Sequence, residues 1–253
     1  MTKKSVQKTR NNAALITGGA KRIGREIAIF LASKGYDLLI SYNNSKKEAE
    51  KLASEIAKKY QVKVEIFKCD LIDIKQAKKL INFAKINFKN LNLLINNASI
   101  FNQSKFLEGS ENQLMDNLNI HLISPLILSK EFAKFAKKDA QIINMIDKNI
   151  VRYDTSYFHY LLSKKSLAES TKMLALELAP NIRVNGIAPG IIMAPVYQGI
   201  SKIDEENIIK KIPLARQGDV KNIIQTVEFL LDNNFVNGQI IFVDGGASLN
   251  HAG

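Results

Sequence analysis

The chain has little of two residue types that shape many small proteins: it contains one cysteine, Cys69, and no tryptophan among its 253 residues. A single thiol cannot form an internal disulfide, which excludes the stapled frameworks of small secreted proteins. We interpret Cys69 as a small buried apolar residue. The sequence also lacks linkers, internal repeats and any apolar stretch that is long and uncharged enough to span a bilayer. We therefore expect a soluble, cytoplasmic protein without a membrane partner.

The first 12 residues lack the apolar central run of a secretory signal. They are polar and basic, and we predict a flexible tail at residues 1–12 followed by a single domain over residues 13–253. A chain of this length accommodates one large α/β domain, or at most two small ones.

The formal net charge of +12 suits several partners, namely nucleic acids, acidic membranes and anionic small molecules. The lysines are spread along predicted helix faces, however, and the sequence has neither an aromatic-interleaved basic stripe nor a nucleic-acid motif. We predict a solvated, lysine-rich surface, no nucleic-acid partner and no metal site. Such a surface would help to attract a polyanionic cofactor.

Seven short apolar runs alternate with longer amphipathic stretches. This alternation predicts the α/β class, with a doubly wound parallel sheet that carries helices on both faces. Ligands of such sheets bind beyond the carboxyl ends of the strands, where the strand order reverses. The predicted strands are Ala13–Thr17, Asp37–Ser41, Val62–Cys69, Leu91–Asn96, Gln141–Ile146, Arg183–Ala188 and Gln239–Val243.

The first predicted strand leads into the glycine-rich sequence TGGAKRIG, from Thr17 to Gly24, and then into an amphipathic helix over Ile23–Lys34. Glycines let the backbone approach a pyrophosphate closely, and the helix offers its N–H groups and the positive end of its dipole. In this context we predict phosphate binding; an ordinary βα turn is the alternative.

The second predicted strand ends without an acidic residue, in Tyr42-Asn43-Asn44-Ser45. An acid at this point would hydrogen-bond the ribose 2′-hydroxyl of NADH and repel a 2′-phosphate. Its absence, with Ser45 and two following lysines available to a phosphate, favours NADPH.

Polar residues also follow the third and fourth predicted strands. The sequence leaves two interpretations of Asp70 open: it contacts an adenine amino group, or it caps the helix that begins near Asp73. Asn97, Ala98 and Ser99 have the size and polarity of a crevice wall beside a cofactor.

Asp147 follows the fifth predicted strand, Tyr160 comes 13 positions later, and Lys164 four positions after that. On a helix, Tyr160 and Lys164 share a face. An ammonium group close to a phenol lowers the pKa of the phenol from about 10, which makes the tyrosine a usable proton donor near neutral pH. The lysine can also hold the ribose of a nicotinamide cofactor.

Together these motifs resemble the short-chain dehydrogenase/reductase family, whose order and spacing they share: Thr-Gly-x-x-x-Arg-x-Gly, Asn-Asn-Ala-Ser, Tyr-x-x-x-Lys and Ala188-Pro189-Gly190. The likeness extends from about Ala13 to Ser248. It implies a seven-stranded Rossmann-like fold and a homotetramer or dimer. We assign the following residues to an NADPH site: Gly18, Lys21, Arg22, Ile23, Tyr42, Asn43, Ser45, Asp70, Leu71, Asn97, Ala98, Ser99, Tyr160, Lys164, Pro189, Gly190 and Ile192.

Three positions depart from the common family pattern and match its pteridine reductases and bacterial dihydromonapterin/dihydrofolate reductases. Most members have a serine that donates to a substrate carbonyl where this chain has Asp147, and an ionised carboxylate has no proton to donate. A carboxylate suits a pterin ring, whose amino and ring N–H groups are donors. Arg22 replaces a glycine, and Phe101 offers a ring that can stack on a flat heterocycle; apolar packing is the alternative for Phe101.

The resemblance implies a reductase that transfers a hydride from NADPH to a C=N carbon of a dihydropterin or dihydrofolate, with Tyr160 as the proton donor. Two alternatives stay open: a carbonyl or 3-oxoacyl-[acyl-carrier-protein] reductase of the same family, and a catalytically silent nucleotide-binding protein. We assign no catalytic role to His121, and expect residues 193–216 to cover the substrate. The predicted catalytic residues are Asp147, Tyr160 and Lys164, and the predicted substrate contacts are Arg22, Ser99, Phe101, Asp147 and Tyr160.

Overall fold

The computed structural model describes residues 12–193 and 202–250, with the side chains of residues 202–205 left out. The predicted tail at residues 1–12 lies outside this part of the chain except for Asn12. The strands are β1 (Ala13–Ile16), β2 (Asp37–Tyr42), β3 (Val64–Lys68), β4 (Leu91–Asn96), β5 (Ala140–Met145), β6 (Ile182–Pro189) and β7 (Ile240–Val243).

Eight α-helices and two short helical turns connect the strands within the described residues. The α-helices are α1 (Arg22–Ser33), α2 (Lys46–Tyr60), α3 (Ile74–Asn87), α4 (Glu111–Leu118), α5 (Ser124–Ala133), α6 (Phe158–Glu177), α7 (Lys202–Lys210) and α8 (Val220–Asp232). A π-helical turn, Asn119–Ile123, joins α4 to α5, and a 3-10 turn, Lys148–Val151, follows β5. None of the described helices is both long and apolar enough to cross a membrane.

The seven strands form one parallel sheet in the order β3-β2-β1-β4-β5-β6-β7, which confirms the predicted doubly wound, Rossmann-like fold. The chain proceeds outward from β1 to β3 and then returns to the other side of β1 with β4. The strand order therefore reverses between β1 and β4, and a crevice forms at their carboxyl ends.

All seven predicted runs contain a strand; the bounds of six of them shift by one or two residues, and two of these shifts have a clear physical reason. Thr17 lies outside β1 because its backbone already turns toward the glycines. The third strand begins at Val64 rather than Val62, although Val62 is buried in the core. Val62 and Cys69 at the ends of this apolar run are buried but lie outside the strand. The run therefore overestimates the length of this strand.

Consecutive residues of the central strands point into two separate cores. Leu15 and Leu94 belong to the core that α3 and α5 cover, whereas Ile16 and Ile95 belong to the core that α1, α2 and α8 cover. All four residues are fully buried, with 0% of their surface exposed. Because side chains alternate across a strand and helices cover both faces, the central strand β1 is apolar at every position, and its neighbours carry apolar residues on both faces.

A buried chain of polar side chains ties α6 to the middle of the sheet. Asn96 Nδ2 donates to Asn144 Oδ1 (2.8 Å), and Asn144 Nδ2 donates to Thr171 Oγ1 (2.9 Å). These groups are at most 3% exposed, so each hydrogen bond replaces water that the core excludes. The network fixes the position of α6, the helix that carries Tyr160 and Lys164, relative to the ends of β4 and β5.

We expect Asn144→Ala to lower the free energy of unfolding by about 2–3 kcal/mol, because the amide of Asn96 and the hydroxyl of Thr171 each lose a buried partner. Chemical denaturation followed by circular dichroism measures this change. Ser170→Ala is the matched control, since that hydroxyl bonds only to the Ser166 carbonyl of its own helix, and its effect should stay within about 0.5 kcal/mol. Equal losses in the two variants would contradict the role of the network.

Candidate active site

A cavity of about 1380 Å³ lies at the carboxyl ends of the strands, on the switch point between β1 and β4. Every residue that the sequence predicts for cofactor, substrate or catalysis lines this cavity. The volume exceeds the range of about 300–1,000 Å³ that single small-molecule sites occupy, which leaves room for a dinucleotide and a second ligand. Among the described residues, no group of His, Cys, Asp or Glu side chains is arranged to hold a metal ion.

The glycine-rich turn after β1 is locked against the end of β4. Thr17 Oγ1 accepts hydrogen bonds from the backbone N–H groups of Asn97 (2.9 Å) and Ala98 (3.0 Å). The Asn97 amide in turn donates to the carbonyls of Thr17 (2.9 Å) and Gly18 (3.1 Å). Gly18 has a φ of +61°, and a Cβ on it would lie 2.9 Å from Ala98 Cα, so only glycine fits. The side chain of Asn97 therefore stabilises the turn. The sequence predicted Asn97 only as a cofactor contact and did not indicate this structural role.

Arg22 begins α1 with a φ of +51°, in the left-handed region that non-glycine residues rarely adopt. Its guanidinium donates to the carbonyl of Met193 (3.3 Å), the last described residue before the gap. Arg22 thus joins the glycine-rich turn to the segment that follows β6. The remainder of the predicted substrate cover begins with residues 194–201, which lie outside the described residues.

The opposite end of the cavity is bounded by the start of α2. Ser45 is the N-cap residue of this helix, and its hydroxyl makes no capping hydrogen bond in the described structure. Lys21 pairs with Glu48 (2.6 Å) in the first turn of the same helix, and this hydrogen bond lowers the pKa of Glu48. No sequence motif indicated Glu48, whose carboxylate lies in the first turn of α2 after Ser45 and has its charge offset by Lys21.

The structure excludes one of the two interpretations of Asp70. Asp73 is the N-cap residue of α3 and accepts from the N–H of Lys75 (3.0 Å), so the interpretation of Asp70 as the helix cap is wrong. Asp70 Oδ1 instead accepts from the N–H of Ile72 (3.0 Å), and its side chain lines the cavity beside Leu71. Contact with adenine stays a prediction for Asp70.

The end of β6 forms the remaining wall. The N–H of Gly190 donates to the Val243 carbonyl (2.9 Å), and a Cβ on Gly190 would lie 2.7 Å from Asp244 Cα. Pro189 and Ile192 flank this close approach and line the cavity with it. Their predicted contact with the cofactor is consistent with this position.

The predicted catalytic residues meet as the 13-residue and four-residue spacings require. The Tyr160 hydroxyl donates to Asp147 Oδ2 at 2.8 Å. The other oxygen, Oδ1, accepts from the N–H of Asn149 (2.7 Å), because Asp147 caps the 3-10 turn. Both carboxylate oxygens therefore act as acceptors, and the carboxylate is held facing the phenol.

Lys164 lies one helical turn after Tyr160 and is only 3% exposed. Its Nζ donates to the carbonyl of Met145 (2.8 Å) and lies 5.9 Å from the centre of the Tyr160 ring. Burial lowers the pKa of Lys164 to about 8, although the charge of Asp147 opposes the shift. The phenol thus has a cation on one side, which favours release of its proton, and an anion on the other, which favours retention.

Phe101 is 44% exposed at the cavity, which rules out the interpretation of this ring as purely apolar packing. It stacks on Tyr157, with ring centroids 4.6 Å apart and an interplanar angle of 10°, and meets the Tyr160 ring edge to face at 4.8 Å. Tyr157 was not predicted from the sequence, although its position three residues before Tyr160 places it near the same helix face. The three rings form an aromatic wall beside the phenol hydroxyl.

Two further residues at the site received no role from the sequence: Lys148, which lines the cavity, and His121, which is buried behind it. Lys148 directly follows Asp147, and burial lowers its pKa. His121 lies behind Ser99, with 2.9 Å between its Nε2 and Ser99 Oγ. Only the pattern of strand ends could have indicated Lys148, and no local pattern indicates the contact between His121 and Ser99, which lie 22 residues apart.

The pKa of Lys164 is open to direct measurement. We expect ¹³Cε-lysine NMR of the ligand-free protein to show one lysine that titrates near pH 8, since burial disfavours the ammonium form. Lys164→Met removes and so assigns this resonance. In Asp147→Asn the midpoint should fall further, because the carboxylate that supports the ammonium charge is gone. A midpoint near the ordinary value of 10.5 would contradict the described burial.

Comparison with known proteins supports the resemblance seen in the sequence. A short-chain dehydrogenase family model described as "Enoyl-(Acyl carrier protein) reductase" matches residues 18–248. Curated relatives include the 3-oxoacyl-[acyl-carrier-protein] reductase FabG of Staphylococcus aureus (strain Mu50), 30% identical over 92% of this chain and 97% of the relative. FabG of Aquifex aeolicus is also 30% identical, over 94% of this chain and 98% of the relative.

Similar proteins of known structure are named for a different activity. FolM alternative dihydrofolate reductase 1 from Brucella canis, complexed with NADP, superposes with a TM-score of 0.88 and 33% identity, covering 95% of each chain. The Brucella suis FolM structure, also with NADP, gives the same TM-score and identity over 95% of this chain and 96% of that one. The family model, the full-length relatives and the fold agree: this chain belongs to the short-chain dehydrogenase/reductase family of oxidoreductases.

Proposed function

We propose that this protein is an NADPH-dependent reductase of a dihydropterin or dihydrofolate. The observation that carries the proposal is the hydrogen bond from Tyr160 to Asp147. It places a carboxylate, which only accepts hydrogen bonds, next to the proton donor. A ketone oxygen needs donors and would meet repulsion from this group, whereas the amino and ring N–H groups of a pterin can donate to it.

Several features of the cofactor end fit NADPH. β2 ends without an acid, and the one carboxylate in the first turn of α2, on Glu48, is paired with Lys21. The uncapped N-terminus of α2 offers N–H groups and the Ser45 hydroxyl to a 2′-phosphate. The FolM structures of the two Brucella species contain NADP, which agrees with this assignment.

The residues of the site divide the work of the reaction. NADPH supplies the hydride when bound, and this hydride forms a new C–H bond at a ring C=N carbon. Phe101 and Tyr157 of the aromatic wall hold the flat ring in place. Tyr160 donates its proton to the ring nitrogen, and Asp147 holds the hydroxyl in position and can relay a proton from solvent. Lys164 stabilises the phenolate that remains.

A second candidate has specific support, because the curated relatives are FabG reductases at 30% identity. A 3-oxoacyl substrate presents a carbonyl oxygen and needs hydrogen-bond donors from the protein. Asp147 argues against this candidate, because a carboxylate that only accepts hydrogen bonds stands where most family members have a serine that donates one. The two candidates therefore differ in which substrate the protein reduces and in the effect of substituting Asp147.

A parallel NADPH-oxidation assay with a dihydropterin, dihydrofolate and a simple 3-oxoester tests the proposal. We expect turnover of the heterocycles and little of the ester. Asp147→Ser should lower kcat/KM for the heterocycle by about 100-fold, and Tyr160→Phe by about 1000-fold, because each loses part of the proton-transfer group. Asp147→Asn separates the charge of the carboxylate from its size. A parent enzyme that prefers the ester, or an Asp147→Ser variant as active as the parent on pterins, would reject the assignment.

We also propose that the chain acts as a homo-oligomer through the outer face of α6. Leu162, Met173 and Leu176 are 41%, 69% and 83% exposed, and their spacings of 11 and three residues place them on one side of the helix. β7 is the last strand of the sheet, so its outer edge is unpaired within the described residues. An apolar helix face and an open strand edge are each typical of a surface that a second copy covers.

Light scattering coupled to size-exclusion chromatography checks this surface. We expect a tetramer or dimer for the parent and dissociation in Leu176→Glu, because the buried glutamate would lack a partner. Ile86→Glu, a substitution of equal size at a 67% exposed position on α3, is the control and should leave the assembly intact. A monomeric parent would exclude the proposed interface.

A further inference from the structure

His121 has no role in the proposed reaction, yet its ring is buried and both of its nitrogens make hydrogen bonds. It lies in the π-helical turn between α4 and α5 and is 1% exposed. Its ring meets that of Tyr160 edge to face, with centroids 5.3 Å apart. Hydrogen bonds extend from its two nitrogens to opposite sides, toward Ser99 at the cavity and Ser163 inside α6.

The neighbours of His121 determine which ring nitrogen carries the proton. The backbone N–H of Ile100 can only donate, and it points at Nε2 from 3.3 Å, so Nε2 is an acceptor. The proton is then on Nδ1, which lies 2.9 Å from Ser163 Oγ. Ser163 uses its own proton on the carbonyl of Tyr160 (2.7 Å) and therefore accepts from Nδ1. All three contacts agree on one tautomer.

The ring is also held in the neutral form. Burial and the positive charge of Lys164 lower the pKa of His121 well below its ordinary value of 6.5, against weaker opposition from the backbone groups of Asn117 and Ile100. The neutral ring, with its proton on Nδ1, therefore persists at neutral pH.

This tautomer fixes the hydroxyl of Ser99. With Nε2 unprotonated and 2.9 Å away, Ser99 must donate its single proton to His121; the alternative acceptor, the Ile100 carbonyl, is farther at 3.2 Å. The lone pairs of Ser99 are then directed away from His121. Ser99 is exposed and lines the cavity, so these lone pairs are available to a ligand.

We propose that His121 is a positioning residue that makes Ser99 a hydrogen-bond acceptor toward the substrate. This inference rests on the proposed function, and it deepens it: Ser99 and Asp147 both offer acceptors in one cavity, so the site selects a ring that carries N–H donors. Without the imidazole acceptor, the Ser99 hydroxyl could rotate and present a proton instead. The selectivity for an amino heterocycle is thus set by a residue that does not touch it.

The tautomer can be tested without any substrate. ¹⁵N NMR of histidine-labelled, ligand-free protein should show Nε2 of His121 unprotonated and Nδ1 protonated from neutral pH to below pH 6.5. His121→Gln assigns the resonances. Protonation of Nε2 under these conditions would overturn the inference, whatever the enzyme reduces.

A double-mutant cycle tests the link to Ser99. We expect His121→Leu to raise KM for the heterocycle about tenfold while kcat changes much less, since one hydrogen bond to the bound ring is lost. In the Ser99→Ala background, the same substitution should have little further effect on KM, because the acceptor is already absent. His121→Gln keeps an acceptor near the position of Nε2 and should restore most of the affinity.

His159→Leu is the matched control, because it removes a second buried histidine, on α6, that is 3% exposed and whose Nδ1 has no hydrogen-bond partner in the described structure. It should leave KM near the parent value. Additive effects of the His121 and Ser99 substitutions, or a rise in KM for His159→Leu equal to that for His121→Leu, would reduce His121 to a structural residue. The cycle uses whichever substrate the parent reduces, so a failed pterin assay rejects the proposed function and leaves the coupling measurable.

Discussion

The hydrogen bond between the Tyr160 hydroxyl and the Asp147 carboxylate determines the chemistry of this site. A carboxylate in that place reverses the hydrogen-bonding polarity that a carbonyl substrate requires, because it accepts and does not donate. The proposed role of His121 extends this reversal to Ser99, whose Oγ lies 2.9 Å from His121 Nε2. Fold and cofactor are shared with reductases of many substrates, so the polarity of a few side chains is what separates one substrate class from another.

The scaffold holds this pair in place from both sides. Asp147 is fixed by the N–H of Asn149 at the start of the 3-10 turn. Tyr160 is fixed by α6, which the buried contact between Asn144 and Thr171 anchors to the sheet. Rigid elements that meet at the carboxyl ends of parallel strands therefore position the donor and the acceptor before a ligand binds, and such preorganisation favours reaction.

Electrostatics at the site differ from those of the surface. The chain carries a net charge of +12, mostly on solvated lysines that form exposed ion pairs of small energetic value. At the site, burial lowers the pKa of Lys164 to about 8, and burial with the charge of Lys164 lowers the pKa of His121 well below its ordinary value. The surface charge can attract an anionic cofactor, whereas the reaction depends on a few buried groups whose protonation the low local polarity controls.

The sequence by itself determined the parts that depend on local pattern. Strand–helix alternation predicted all seven strands, the glycine-rich turn predicted the start of α1, and the spacing from Asp147 to Tyr160 and Lys164 predicted one cluster. Periodicity and spacing are properties of neighbouring residues, so they can be read along the chain.

Only the tertiary structure decided the contacts between residues that are distant in sequence. The sequence could not show that Phe101 stacks on Tyr157, or that His121 joins Ser99 to Ser163, because these partners lie 22 to 56 residues apart and meet only when their loops and helices pack. Hydrogen-bond polarity is decided at the same level, since the role of a hydroxyl or an imidazole depends on which groups surround it in the folded protein.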